Sequence, residues 1–307
     1  MRAFVTGIGG FVGPHLARHL LACGDQVSGT FLGRPLGHPA VQEWEVDLLD
    51  RPALERALAA ADPEVVYHFA GRSHVGASWQ QMPEYFQANI AGTDNLLRAA
   101  GDRRVLFASS AEVYGLVPEA EQPISERRPP APRTPYALTK AAAELLAQRA
   151  GAVVVRTFNL IGPGQDSSFA MPAFATQLAA IAGGGVEPVL RVGNLSARRD
   201  FVNVEDAGPA YRLLGERGEP GGVYNLASGS ALAISDLLER LLALTGLSVA
   251  VREDPERVRP VDLPLLRGDS GRLRALGWQP GHSVDDALRE LWREVSGSRP
   301  LHLETRS

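Results

Sequence analysis

This 307-residue sequence predicts an α/β fold: a doubly wound parallel sheet followed by a smaller α/β C-terminal lobe. Three features carry that expectation. The N-terminal half alternates short apolar runs with stretches at helical spacing, the pattern of strands joined by crossover helices. A glycine-rich turn, Thr6-Gly7-Ile8-Gly9-Gly10-Phe11-Val12-Gly13, separates the first of those strands from the first helix. After Asn159 the texture changes, and glycine and proline cluster at Gly162-Pro163-Gly164 and Gly183-Gly184-Gly185. Residues 1–160 therefore read as one domain and 161–307 as mainly a second lobe, with a stretch at roughly 200–230 returning to the first.

Taken in order, Arg2 to Thr6 reads as a buried strand and Phe11 to Cys23 as an apolar helix. Gln26 to Phe31, Val41 to Val46, Glu64 to Phe69 and Val105 to Ala108 are further short apolar strands, and Ala152 to Thr157 is one more. Helices between consecutive strands imply parallel pairing with both faces of the sheet covered. Two longer helices are expected at Pro83 to Ala100 and Pro135 to Ala150, with Leu and Ala on their outer faces. The Pro- and Arg-rich segment Gln122 to Pro135 is expected as an exposed loop ahead of the second. In the C-terminal half, Ile234 to Leu244 and Ser283 to Val295 carry helical patterns.

Composition excludes several function classes. Hydrophobic residues at 45% and charged residues at 21% describe an ordinary globule. The net charge is −4, and no basic stretch has interleaved aromatics, so no nucleic-acid partner is expected. No apolar run reaches the length of a membrane span. Met1 to Thr6 enters a strand with no charged leader, so no export signal is expected. Cys23 is the sole cysteine, which rules out disulfides within the chain. Together these predict a cytoplasmic protein. No metal site is expected.

The glycine turn has a chemical meaning. Gly7, Gly10 and Gly13 let the backbone turn tightly and approach a pyrophosphate, while the helix N-terminus that follows, at Phe11 and Val12, meets its charge. At the first strand–helix turn this is the mark of a Rossmann-type, NAD(P)-binding site. An acid at the end of the second strand would bind the adenosine ribose. Here the stretch is Thr30-Phe31-Leu32-Gly33-Arg34, with no acid. Arg34 is placed to meet a 2′-phosphate, or is a plain surface arginine. The balance favours NADP(H), with NAD(H) possible. Asp47, after the third strand, either reaches the adenine or caps a turn.

Of the 31 Lys plus Arg residues one alone is a lysine, Lys140. It lies in Tyr136-Ala137-Leu138-Thr139-Lys140, and residues four apart on a helix share a face. A compact ammonium beside a phenol stabilises the phenolate and lowers its pKa. A Tyr136 tuned toward neutrality can exchange a proton with a substrate hydroxyl or ketone. A planar, permanently charged arginine does not suit that role.

These motifs resemble the extended short-chain dehydrogenase/reductase superfamily that works on nucleotide sugars. The resemblance rests on the glycine turn, Asp47-Leu48, His68-Phe69-Ala70-Gly71, Asn89-Ile90-Ala91-Gly92-Thr93, Ser109-Ser110-Ala111-Glu112-Val113-Tyr114-Gly115 and Tyr136 to Lys140. It implies that Ser110, Tyr136 and Lys140 form a catalytic triad. Ser110 would bond the reacting oxygen, Tyr136 would exchange its proton, and Lys140 would hold the nicotinamide ribose. It further implies that Leu48, Phe69, Ala70 and Gly71 line the cofactor, that Asn89 kinks a helix near the site, and that His68 is structural. Such proteins form homodimers through a four-helix contact.

The C-terminal half is most similar to the GDP-6-deoxy-4-keto-mannose reductases, which make GDP-D-rhamnose. The residues concerned run from Arg156 to Gln165, from Arg191 to Leu195, from Ala197 to Phe201 and from Arg259 to Asp262. By that analogy Asn159, Arg191, Arg199 and Arg259 contact the sugar nucleotide, and forked arginine donors suit a diphosphate. The leading expectation is reduction of the C4 ketone of a GDP-4-keto-6-deoxyhexose. The alternatives are a 4,6-dehydratase, for which Glu112 would be the base, a 4-epimerase, and a non-catalytic nicotinamide sensor. Retention of both Tyr136 and Lys140 weighs against the sensor.

Overall fold

The computed structural model describes residues 1–257 and 262–297. Six short apolar segments in the first half form strands: β1 (Arg2–Thr6), β2 (Gln26–Phe31), β3 (Val41–Glu45), β4 (Val65–His68), β5 (Arg104–Ser110) and β6 (Val153–Thr157). Between and after them run α1 (Val12–Ala22), α2 (Arg51–Ala61), α3 (Met82–Phe86), α4 (Gly92–Ala100) and α5 (Pro135–Arg149). The second half contributes β7 (Asn159–Ile161), α6 (Ala170–Ala182), β8 (Val189–Val192), β9 (Arg198–Asn203), α7 (Val204–Arg217), β10 (Val223–Leu226), β11 (Ala231–Ala233), α8 (Ile234–Thr245), β12 (Ala250–Glu253), β13 (Leu265–Leu266), α9 (Gly271–Ala275) and α10 (Val284–Val295).

Seven strands make one parallel sheet in the order β10-β6-β5-β4-β1-β2-β3. The chain winds outward from β1 in one direction through β2 and β3, then from β4 in the other. The order thus reverses between β1 and β4, where open α/β sheets leave a crevice. Both faces are covered because both are apolar. Leu16 and Leu20 of α1 and Ala210, Tyr211 and Leu214 of α7 bury one face against Val5, Tyr67 and Val155. Leu54 and Leu58 of α2, Leu96 of α4, and Ala143 and Ala147 of α5 bury the other against Phe4, Val66 and Phe107. β10 and α7 come from late in the chain yet belong to this layer.

Most of the rest of the second half builds around β9, which pairs β7 and β13 in parallel and β11 antiparallel, while β8 and β12 pair with each other in parallel. Met171, Phe174 and Leu178 of α6, Leu237 and Leu241 of α8, and Leu288 and Leu291 of α10 form its separate core.

Two segments depart from expectation. The helix expected over Pro83 to Ala100 is interrupted by a π-helical turn at Gln87–Ala91 between α3 and α4. Its cause is Asn89, whose buried side chain bonds Arg72 and Thr139 and draws the backbone inward. The segment from Gln122 to Pro135 is not wholly exposed. Gln122 is buried, its side chain donating to Val117 O and Leu265 O and accepting from Arg267 N, and Ile124 forms a bridge to Gly268. This segment therefore joins the two halves. No helix among the described residues is long and apolar enough to cross a membrane.

Candidate active site

A cleft of about 1180 Å³ runs from the glycine turn past the ends of β2, β4 and β5 to α6 and α10. Gly7, Gly10, Phe11 and Val12 line its first end. Gly7 turns the chain out of β1 at φ 69°, and a Cβ there would stand 3.0 Å from the Ala70 backbone. Gly9, which the reading of Gly7, Gly10 and Gly13 passed over, is the tightest point: a Cβ would overlap the Arg34 carbonyl oxygen. Gly13 lies behind the lining, buried in the first turn of α1. No side chain caps that helix start and no acid lies in its first turn, so its N–H groups remain available to an anion.

Arg34 is exposed at the rim of the cleft, where no carboxylate follows β2. Asp47 lines the cleft and its Oδ1 also accepts from Leu49 N at 2.9 Å, so it both caps a turn and faces the cavity. Leu48, Phe69, Ala70 and Gly71 line it as well. Asn89 sits behind the wall. Its Oδ1 accepts from Arg72 N at 2.8 Å, and its Nδ2 donates to Arg72 O at 3.0 Å and to Thr139 Oγ1 at 2.9 Å. It shapes the cleft by holding the 71–72 loop to α5.

Ser110, Glu112, Tyr136 and Lys140 converge at the middle of the cleft. Ser110 ends β5, and its Oγ accepts from Glu112 N at 3.2 Å and faces the Tyr136 hydroxyl. Thr134 caps α5 by accepting from Ala137 N, and Pro135 occupies the first helical turn, so the helix starts immediately before Tyr136. Lys140 follows one turn later on the same face. Its Nζ stands 4.5 Å over the Phe107 ring. One further turn on, the Glu144 carboxylate is buried among Arg156 and Ser109 Oγ.

The electrostatics correct one expectation. Burial pushes the Tyr136 phenol up to about 12; the Ser110 hydroxyl pulls it down, while Glu112 and Tyr85 add to the rise. The expected lowering by Lys140 is not among the influences on it. Lys140 is itself brought down to about 8 by burial, with Glu144 opposing. Desolvation of two neighbouring groups thus leaves a neutral phenol beside an ammonium close to its own titration. His68 is 1% exposed and neutral, held down to about 3 by burial and then by Lys140.

Of the residues expected to hold a sugar nucleotide, Asn159 lines the cleft. Arg191 is exposed on β8 and Arg199 is buried on β9, and neither is part of the lining. The Arg199 guanidinium instead meets Asp262 and Leu263 O. Arg259 lies outside the described residues. The cleft has other linings that the sequence did not signal: Arg72, Phe169 and Thr176, and Leu291 and Glu294 of α10. Glu294 accepts from Gly164 N at 2.8 Å, across 130 positions of sequence, and no local pattern marks such a pairing.

Comparison with known proteins identifies the family. The family model described as GDP-mannose 4,6 dehydratase matches residues 4–291. The GDP-6-deoxy-D-mannose reductase of Pseudomonas aeruginosa is 37% identical over 301 residues, covering 94% of this chain and 95% of that one. A solved structure of RMD from Pseudomonas aeruginosa complexed with NADPH superposes with a TM-score of 0.85 at 35% identity, over 97% of this chain and 98% of that one. The Thermus thermophilus UDP-glucose 4-epimerase, complexed with NAD, gives 0.87 at 30% identity, over 97% and 100%. The fold is thus one found in a reductase's relatives and in an epimerase alike. The seven-stranded parallel sheet, the cleft at its strand-order reversal and a match over nearly the whole sequence place this chain in the GDP-mannose 4,6-dehydratase family, a nucleotide-sugar branch of the extended short-chain dehydrogenase/reductases.

Proposed function

We propose that this enzyme reduces the C4 ketone of a GDP-4-keto-6-deoxyhexose with NADPH, giving a GDP-6-deoxyhexose such as GDP-D-rhamnose. The observation that carries this is end-to-end identity of 37% with a GDP-6-deoxy-D-mannose reductase, above the 30% shared with a UDP-glucose 4-epimerase. The residues fit a nicotinamide dinucleotide: the uncapped start of α1, the tight turn at Gly7 and a long cleft leading to Tyr136. Arg34 and the absence of an acid after β2 favour the 2′-phosphorylated form, and NAD(H) is the alternative. The family likeness favours a GDP-linked sugar. In this reading residues 1–160, with the stretch at 200–230, hold the dinucleotide, and 161–307 mainly close over the sugar nucleotide.

The roles follow from position. When bound, the reduced nicotinamide supplies the hydride that adds to C4. The C4 carbonyl oxygen becomes an alkoxide in the making and takes the Tyr136 hydroxyl proton. A phenol near 12 is protonated at neutral pH and therefore ready to donate. Ser110 Oγ bonds both Tyr136 and the same oxygen, fixing the direction of transfer. The Lys140 ammonium holds the ribose hydroxyls and offsets the charge left on the phenolate. Asn159 bonds the sugar nucleotide from the far wall. One ketone, one hydride and one proton give one secondary alcohol, so cofactor is consumed mole for mole.

A 4,6-dehydratase is the second reading, because Glu112 stands in the cleft beside Tyr136. Incubation with GDP-4-keto-6-deoxymannose and NADPH separates the two. Stoichiometric loss of nicotinamide absorbance is expected, whereas a dehydratase or epimerase recycles bound cofactor with no net change. Glu112→Gln should keep most reductase turnover. Loss of nearly all activity in that variant would instead favour the dehydratase.

We further infer that the enzyme is a homodimer through α3 and α5, whose outer faces expose Met82, Phe86, Leu138 and Leu145.

A further inference from the structure

We propose that His68 is a positioning residue: a neutral imidazole locked in one tautomer, which ties the glycine turn to the helix that carries Tyr136 and Lys140. His68 closes β4 directly opposite Thr6 of β1, astride the reversal of strand order. Its Nδ1 lies 2.8 Å from Thr6 Oγ1 and its Nε2 lies 3.0 Å from Thr93 Oγ1.

The direction of each bond follows from its neighbours. Thr93 Oγ1 is 2.6 Å from Asn89 O, a carbonyl that can only accept, so the Thr93 proton goes there. Thr93 Oγ1 must then accept from the imidazole, which puts the ring proton on Nε2. Nδ1 is left bare and accepts the Thr6 hydroxyl proton, while Thr6 Oγ1 accepts from Ala70 N at 3.2 Å. A second ring proton would leave the Thr6 hydroxyl hydrogen without its acceptor in a site 1% exposed.

The relay does not stop at Asn89. The Asn89 side chain donates to Thr139 Oγ1, and Thr139 donates to Tyr136 O at 2.8 Å. A continuous path thus leads from Ala70 and Thr6, beside the glycine turn, through His68 and the π-helical turn to the first turn of α5. The imidazole also lies 5.7 Å from the Phe107 ring, over which the Lys140 ammonium stands. The groups facing His68 are hydroxyls from β1 and α4, the Phe107 ring from β5, and the charge of Lys140 from α5. Of these, the Lys140 charge disfavours a second proton, the hydroxyls leave it no acceptor, and burial adds to both.

The consequence is geometric. The dinucleotide is set by the turn after β1, and the proton donor by α5. A misplacement of about 1 Å between them costs up to roughly 100-fold in rate. A buried histidine that served packing alone would have no such reach.

The kinetic part of the test rests on the reductase reading; the spectroscopic part does not. Full-length protein carrying ¹⁵N-labelled histidine should show His68 as the Nε2–H tautomer, unchanged between pH 8 and pH 5. Thr93→Val cuts the relay at nearly constant volume. In that variant the amides of residues 137–140 should lose hydrogen-exchange protection, and kcat should fall about 10- to 100-fold. NADPH affinity, read by fluorescence titration, should stay within about threefold, since the turn itself is intact. Thr93→Ser, which keeps the hydroxyl, should restore both protection and kcat. Thr6→Val with Thr93→Val should be little worse than either alone, because the two act in series. An Nδ1–H or charged His68 at pH 6 overturns the proposal. So does a Thr93→Val protein with parental kcat and protection but a lower Tm, which would reduce His68 to packing. If the parent protein reduces no ketone, the tautomer and exchange measurements still decide the relay, and only the reductase reading fails.

Discussion

Lys140 shows how much chemistry one residue can disclose and where disclosure stops. Its singularity and its spacing from Tyr136 are local facts, so both were legible in the sequence, as was Ser110 at a strand end. Its burial was not legible, because that depends on β5 and the Phe107 ring beneath it. Burial changes the expected energetics. A folded-state pKa near 8, below the usual lysine value, means the unfolded chain binds the proton more tightly. Stability therefore rises as pH climbs from about 8 toward the unfolded value, and below 8 the buried charge is a standing cost. Lys140→Met should accordingly raise Tm at pH 7, on the order of 5 °C, while turnover falls about 10²- to 10⁴-fold. Parental kcat itself should decline as pH rises through about 8, because the neutral amine no longer offsets a phenolate. A Lys140→Met protein that melts lower than the parent at pH 7 would falsify the buried-charge account. The arginines illustrate the opposite limit. With so many in the chain, sequence alone does not say which face a cleft. Arg199 is claimed by Asp262, 63 positions away, and only the folded chain reveals that choice.

At the scale of elements, strands and helices were legible wherever apolar spacing alone decides them, as in β1, β2 and α5. The π-helical turn at Gln87–Ala91 was not, because its residues are acceptable in an α-helix. What widens the turn is Asn89 reaching Arg72 and Thr139, 17 and 50 positions away. Removing that side chain takes away the partner of the part-buried Arg72 N–H and C=O, at about 1–3 kcal/mol. Asn89→Ala should therefore lower Tm by several degrees, and kcat should fall with it as the 71–72 loop and α5 lose their common anchor. Thermal melts and steady-state rates measured well below Tm separate the two effects. The glycine turn gives a sharper case. A side chain at Gly9 collides with the Arg34 backbone, not with the end of a flexible side chain, so relief requires the loop after β2 to move. Gly9→Ala should weaken NADPH binding more than it weakens folding, checked by fluorescence titration against a thermal melt. Equal affinity in that variant would detach the Arg34 loop from the cofactor.

The whole molecule places its chemistry on one face of α5 and leaves the other unexplained. The inward face carries Tyr136, Lys140, Ala143, Glu144 and Ala147, all buried. The outward face carries Leu138 at 47% and Leu145 at 58% exposure, seven positions apart and so aligned along the helix. Beside it on α3 lie Met82 at 41% and Phe86 at 39%. Large apolar side chains aligned along packed helices are costly to hydrate, and a two-fold pairing of α3 and α5 with a second copy would bury all four. A charge at Leu145 would face its own symmetry mate or the apolar centre of such a contact. Leu145→Arg should therefore convert a dimer to a monomer by light scattering at micromolar concentration, without unfolding, since Leu145 is exposed on its own chain. Because α5 is also the helix that holds Tyr136, losing the contact should loosen it, giving a lower Tm and a smaller loss of kcat than substitution of Tyr136 or Lys140. A parent protein that runs as a clean monomer under the same conditions would remove the pairing, and the exposed leucines would then need another partner.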